Sequence, residues 1–381
     1  MKRSRTSSAT QQARGNFTPP QRTAVAQPAP QTSAPDNGKK AAPGSKSRFS
    51  PRNWRVATRL NAILLIPVLV GLVMGGFEVN GSISTWRDAR NAEKVANIVR
   101  AASDYGQALL NERDLTAQPL LENKRDSDVV SKAYATSDAA RAKFDQAVQG
   151  MPDTPSLKRR LAKVHEAEKT LDDLRKTAYA KGVEAKNPVL TEEGYTAIPH
   201  YLSTFSNELG LGTGNITSYG RMVYAVDLAK SAESLQRSIG LHLLLRPSDD
   251  PKTFQMQVKA FNSYNYLEFI ALGEFDAGGT DADSKHLKDV MAEKAKKAAQ
   301  DFPGVKLKAD DGPHISAAPS ADGSIYSGMA AAIGDAQSVQ SLKQLKAQGI
   351  TPESWTAAAT SKFDGYSQVE DELVTRAVTE A

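Results

Sequence analysis

From Leu60 to Phe77 the chain reads LNAILLIPVLVGLVMGGF, eighteen residues without a charge, and this run constrains the fold more than any other feature. A helix needs roughly 20 predominantly apolar residues to cross about 30 Å of hydrocarbon, so the segment 60–79 is expected to be a transmembrane helix. Pro67, Gly71, Gly75 and Gly76 are acceptable there, because neighbouring helices in lipid can satisfy a freed carbonyl. Arg48, Arg52, Arg55 and Arg59 crowd the N-terminal edge of the run. Basic flanks stay on the cytoplasmic side, which puts residues 1–59 inside the cell and 80–381 outside the cytoplasm. A cleaved leader is the competing reading, with Ser82-Ile83-Ser84 as a small-x-small site. Leaders carry a shorter apolar stretch, about 7–15 residues, and no such long lead-in. A buried core helix fits less well, because its four flanking arginines would lack solvent.

The charge is distributed to match. Residues 1–59 hold 12 of the 48 Lys/Arg and one of the 43 Asp/Glu, a charge of +11, which leaves −6 for the rest; the net +5 describes neither part. Positive charge on a tail beside an apolar run points to a membrane and away from nucleic acid. Residues 1–48 contain no Leu or Ile and are rich in proline, so this basic tail is expected to be disordered for want of apolar surface to bury. The absence of cysteine excludes a disulfide scaffold, a thiolate nucleophile and cysteine-ligated zinc.

Beyond residue 80 the periodicity is helical. Val95, Ile98, Ala102, Tyr105 and Leu109 recur three and four apart, as do Leu157, Leu161, Val164, Ala167, Leu171, Leu174 and Ala178 apart from one extra three-residue step, so each set lies along one stripe. Breakers at Pro119, Pro152, Pro155, Pro188, Gly210 to Gly214, Pro247 to Pro251, Gly278-Gly279, Pro303-Gly304 and Gly349 to Pro352 divide the segment into about eight helical pieces. Ser248, Asp249 or Asp250 before Pro251, and Thr351 before Pro352, read as helix starts. Residues 302–323 read as a long loop. The fold class expected is all-α, an antiparallel helical bundle following one transmembrane helix.

Enzymatic patterns fail on inspection. His165-Glu166 lacks the proline-broken helix and ATP fold of a phosphoacceptor site, and GLGTG at 210–214 lacks a preceding strand and a GxxxxGK[ST] run. His165, His200, His242, His286 and His314 show no metal-ligand spacing. No GxSxG elbow is present. Basic pieces such as Lys294-Ala295-Lys296-Lys297 lack interleaved aromatics. No catalytic set, cofactor, metal or nucleic-acid partner is expected.

Two arginines stand out. A weak repeat aligns Leu110-Asn111-Glu112-Arg113-Asp114-Leu115 with Ser234-Leu235-Gln236-Arg237-Ser238-Ile239, two long helices of a kind that pack antiparallel when shorter ones link them. Arg113 continues the Tyr105–Leu109 stripe, and Arg237 shares a face with Val226, Leu241 and Leu244. A guanidinium on an apolar stripe must find an anion, because its unpaired desolvation is too costly. The bland reading is an ion pair with Glu112, Asp114, Glu233 or a neighbouring helix, or a side chain that snorkels. The functional reading is a small planar oxyanion held by two planar, permanently charged forks.

The runs RVATRLNAILLIPVLVGLVMGGFEV, SDYGQALLNERDLTA, AKSAESLQRSIGLHLL and ESWTAAATSKFDGYSQVEDELV together resemble the nitrate- and nitrite-sensing (NIT) domain of actinobacterial sensor histidine kinases, over about residues 52–381. The resemblance implies two stacked four-helix bundles and an anion held by one arginine from each of two long helices. By motif position these are Arg113 in LLNERDL and Arg237 in SLQRSI. Members normally continue into a second transmembrane helix, a HAMP linker and a kinase core; the sequence to Ala381 contains none of these, so sensing without catalysis is expected. The partners expected are nitrate or nitrite, the membrane and a second copy in a homodimer. The alternative is a helical protein-interaction or spacer module at the membrane with no small ligand, whose arginines would be paired with carboxylates.

Overall fold

The computed structural model describes residues 90–180, 189–211, 216–305 and 325–380, all within the unit Met74–Ala381. The expected tail at 1–59, the expected span at 60–79 and most of the expected loop at 302–323 lie outside the described residues. Among those described there is no strand, and no helix is long and apolar enough to cross a membrane.

Helix α1 occupies 90–121. It is followed by α2 (Asp128–Val148), α3 (Pro155–Glu168), α4 (Leu171–Thr177), α5 (Val189–Gly194), α6 (Ala197–Ser203) and a 3-10 turn at Thr204–Leu211. Next come α7 (Ile216–Leu245), α8 (Pro251–Gly278), α9 (Asp281–Asp301), α10 (Ile325–Gly334), α11 (Val339–Leu345), a 3-10 turn at Lys346–Gln348 and α12 (Pro352–Glu380). The helices outnumber the eight pieces expected because α4, α5, α6, α10 and α11 are six to ten residues long, too short for a stripe to show in the sequence.

Local chemistry explains the starts. Asp250 accepts from the Thr253 amide at 2.8 Å with Pro251 in the first turn of α8, and Thr351 and Ser354 exchange side-chain and amide bonds at the start of α12. Thr280 and Asp283 close a capping box on α9. Gly349, at φ +82°, ends the second 3-10 turn in the left-handed region that glycine enters without penalty.

The core has two apolar storeys. One gathers Tyr105, Leu109, Phe144, Phe205, Val226, Phe275, Tyr366 and Leu373; the other gathers Ala117, Tyr179, Ile239, Phe254, Phe261, Met329, Trp355 and Ala359. Helices α1, α2, α7, α8, α9 and α12 each contribute to both, so the long helices run the length of the domain. Helix α7 packs along α8 and α12, and α12 packs along α9. Between the storeys lies a belt of buried polar groups: Glu112, Arg113 and Asp114 on α1, Glu233, Ser234, Gln236 and Arg237 on α7, Glu268 on α8 and Lys362 on α12.

The direction of the two arginine helices differs from the antiparallel arrangement expected. Ser103 of α1 and Lys230 of α7 both reach Glu370 of α12, while further along Asn111 of α1 and Thr360 of α12 both meet Arg237. Moving from one contact to the other advances α1 and α7 together, so they run parallel to each other and antiparallel to α12. The cause is the chain between them: the long α2 and the shorter α3 to α6 return it to the end where α1 begins.

Candidate anion site

In α1 three consecutive residues, Glu112, Arg113 and Asp114, are buried, while the next, Leu115, is 46% exposed. Burying charges at that density requires a partner for each. Glu112 receives a two-pronged bond from Arg175 of α4, at 2.8 and 2.7 Å, and a bond from Ser137 of α2. Arg113 turns the other way. Its Nε lies 2.7 Å from Asp114 Oδ1, its Nη2 donates to Ser234 Oγ at 2.6 Å, and its Nη1 donates to the Glu192 carbonyl at 3.3 Å.

Arg237 arrives from α7 on the same carboxylate. Its Nε and Nη2 lie 2.8 and 2.6 Å from Asp114 Oδ2, an oxygen that also accepts from Ser234. Nη2 donates to Asn111 at 2.9 Å and Nη1 to Thr360 at 3.3 Å. The guanidinium stacks 4.3 Å above the Phe363 ring, a favourable cation–π placement. Trp355 fixes the backbone beneath it by donating Nε1 to the Arg237 carbonyl at 3.0 Å.

The structure therefore brings Arg113 and Arg237 together, bridged by Asp114. The bland expectation, a carboxylate partner for each arginine, is met in one respect and fails in another. Asp114 serves both; Glu112 is committed to Arg175, and both oxygens of Glu233 lack a hydrogen-bond partner among the described residues.

The protonation of the neighbours decides the charge. Burial pushes the Glu233 carboxyl well above the usual carboxylate range despite Arg237 and Lys362 nearby. Burial likewise pushes Glu192 up to about 8, although the Tyr179 hydroxyl donates to it at 3.0 Å. His242, whose Nδ1 is 3.7 Å from Glu192, is pushed down to about 4 by burial and then by Arg246, and is neutral at pH 7. Lys362 is paired with Glu268 at 2.5 Å. Asp114 thus bridges both guanidinium groups, while Glu233 and the exposed Asp364 lie within electrostatic reach of Arg237.

Arg113 lies on its apolar stripe, whereas Arg237 belongs to a stretch of α7 that is buried all round. Residues 232–243 of α7 are buried without interruption, so this part of the helix has no solvent face and Arg237 lies on no stripe. The polar string Glu233-Ser234, Gln236-Arg237-Ser238 in a helix buried all round was the available signal for the belt. Asn111, Glu192, Thr360 and Phe363 were not expected at the site: Asn111 sits two residues before Arg113 on α1, Glu192 on α5, and Thr360 and Phe363 one turn apart on α12, far off in the chain. The His165 turn is exposed on α3, and among the described residues no cluster of His, Cys, Asp or Glu has metal-binding geometry.

Fold and site define an all-helical domain organised around a small buried charge centre. The chain belongs to the nitrate and nitrite sensing (NIT) family, whose model matches residues 106–378, a stretch that includes Arg113, Asp114 and Arg237. The fold is similar to that of the solved NasR transcription antiterminator, with a TM-score of 0.53 and 13% identity over 81% of this chain and 74% of that one. No curated protein matches the chain.

Proposed function

We propose that this chain is a membrane-anchored, extracytoplasmic sensor that binds nitrate or nitrite between Arg113 and Arg237 for signalling of the two-component type. One observation carries the reading: two fully buried guanidinium groups from different helices converge on one planar carboxylate, Asp114. A planar oxyanion matches the same two donor forks, whereas a spherical halide uses them poorly. Membership of the nitrate and nitrite sensing family supports the ligand. The uncharged run 60–77 and its arginine flank support the anchor, with residues 1–59 cytoplasmic and 80–381 the sensing domain. Helix α1 starts near that anchor in sequence and carries Arg113, so a ligand that favours one position of α1 transmits by shifting a population. A homodimer supplies the two-fold axis such receptors use.

Calorimetric titration of the full chain with nitrate, nitrite, chloride and sulfate at matched ionic strength tests the ligand. Nitrate or nitrite should bind, and Arg113→Lys, which keeps the charge but loses the fork, should weaken binding at least about tenfold, roughly 1.4 kcal/mol. Equal heats from all four salts would contradict the reading. They would favour the second one, a helical interaction or spacer module, for which the Asp114 bridge is the supporting observation.

A further inference from the structure

We propose that the Asp114 carboxylate is a built-in counter-anion: it occupies the oxyanion's place between Arg113 and Arg237, and the ligand binds by displacing it. This rests on the anion-sensing reading above. Asp114 is 4% exposed, and both its oxygens are engaged, Oδ1 by Arg113 Nε and Oδ2 by Arg237 Nε and Nη2 and by Ser234. Those donors are what a planar oxyanion would want: two guanidinium edges and a hydroxyl around an O–X–O group. A carboxylate presents the same planar pair of oxygens as nitrite or nitrate.

The remaining donors are turned elsewhere. Arg113 spends Nη1 on the Glu192 carbonyl and Nη2 on Ser234, and Arg237 spends Nη1 on Thr360 and Nη2 on Asn111 as well. An anion placed beside Asp114 would meet like charge and second-rate donors; one placed instead of it inherits the cradle. The released carboxylate must be solvated, and its neighbour on α1, Leu115, is 46% exposed. Because Asp114 adjoins Arg113 on α1, exchanging an internal anion for an external one changes how α1 is tied to α7. The device sets both threshold and direction: affinity is reduced by the fraction of molecules in which Asp114 holds the place.

The test compares nitrate binding to the full chain and to Asp114→Asn, which preserves size and removes the charge. The competitor role requires the variant to bind nitrate at least about tenfold more tightly than the wild type. Asp364→Asn removes a charge from the field of Arg237 without emptying the cradle, and should change the affinity much less. If the wild type binds and Asp114→Asn binds equally or more weakly, or if both variants tighten binding alike, the counter-anion proposal is overturned while the sensor reading stands. If neither wild type nor Asp114→Asn binds nitrate, the sensor reading fails and takes this one with it. Should Asp114→Asn be unfolded in low salt, nitrate but not chloride must restore its helical circular dichroism; failure to do so overturns the proposal.

Discussion

At the scale of single residues, the belt between the two storeys shows how a charge can be kept in a protein interior. Glu112 is neutralised in place by Arg175, burial raises the carboxyls of Glu192 and Glu233, and Asp114 is hydrogen-bonded to both arginines. This has a pH consequence at Glu192. Its carboxyl is raised from 4.5 to about 8 in the fold, so between those values the native state holds a proton that the unfolded chain has lost. Stability conferred by that proton is complete below about pH 4.5 and is lost as pH rises towards 8, at up to about 1.4 kcal/mol per pH unit. Glu192→Gln should flatten the pH dependence of the denaturation midpoint across this window. An unchanged slope would show that Glu192 is ionised in the fold. His242 acts in the opposite sense, since its lowered value makes the fold less stable as pH falls from about 6.5 towards 4.

At the scale of elements, α7 and α12 are locked where Trp355 lies against Gly240. A Cβ built on Gly240 would meet the Trp355 indole at 2.6 Å. Trp355 has nowhere to retreat, being stacked on Tyr326, packed on Phe261 and hydrogen-bonded to the Arg237 carbonyl. Gly240→Ala gains about 1 kcal/mol of helix propensity, but overpacking a tight contact costs about 1–3 kcal/mol. The urea midpoint should fall at unchanged slope; a rise would mean that the contact is loose. The elements themselves were largely legible. Asp250-Pro251 and Thr351-Pro352 start α8 and α12 where their cap chemistry demanded, and the Tyr105–Leu109 stripe does face the core. Two things were not legible. Whether α1 and α7 run parallel depends on how many short helices intervene, and helices as short as α5 and α6 leave no periodic trace. Nor can a stripe be drawn on a segment such as 232–243 of α7 that is buried on every side, so the sequence could nominate Arg237 but not its bond to Asp114.

At the scale of the whole molecule, the long helices run through both storeys and the polar belt between them. If an anion joins Arg113 and Arg237, it binds the native state alone and must stabilise all of it by mass action. Thermal unfolding of the full chain in nitrate, nitrite, chloride or sulfate at equal ionic strength, alongside Arg237→Lys, tests this most directly. Nitrate or nitrite at about 100 times its dissociation constant should add roughly 2.7 kcal/mol, and the gain should shrink in the Arg237→Lys chain. A gain that is the same for all four salts, or undiminished in Arg237→Lys, would contradict the claim that the paired arginines are an anion receptor.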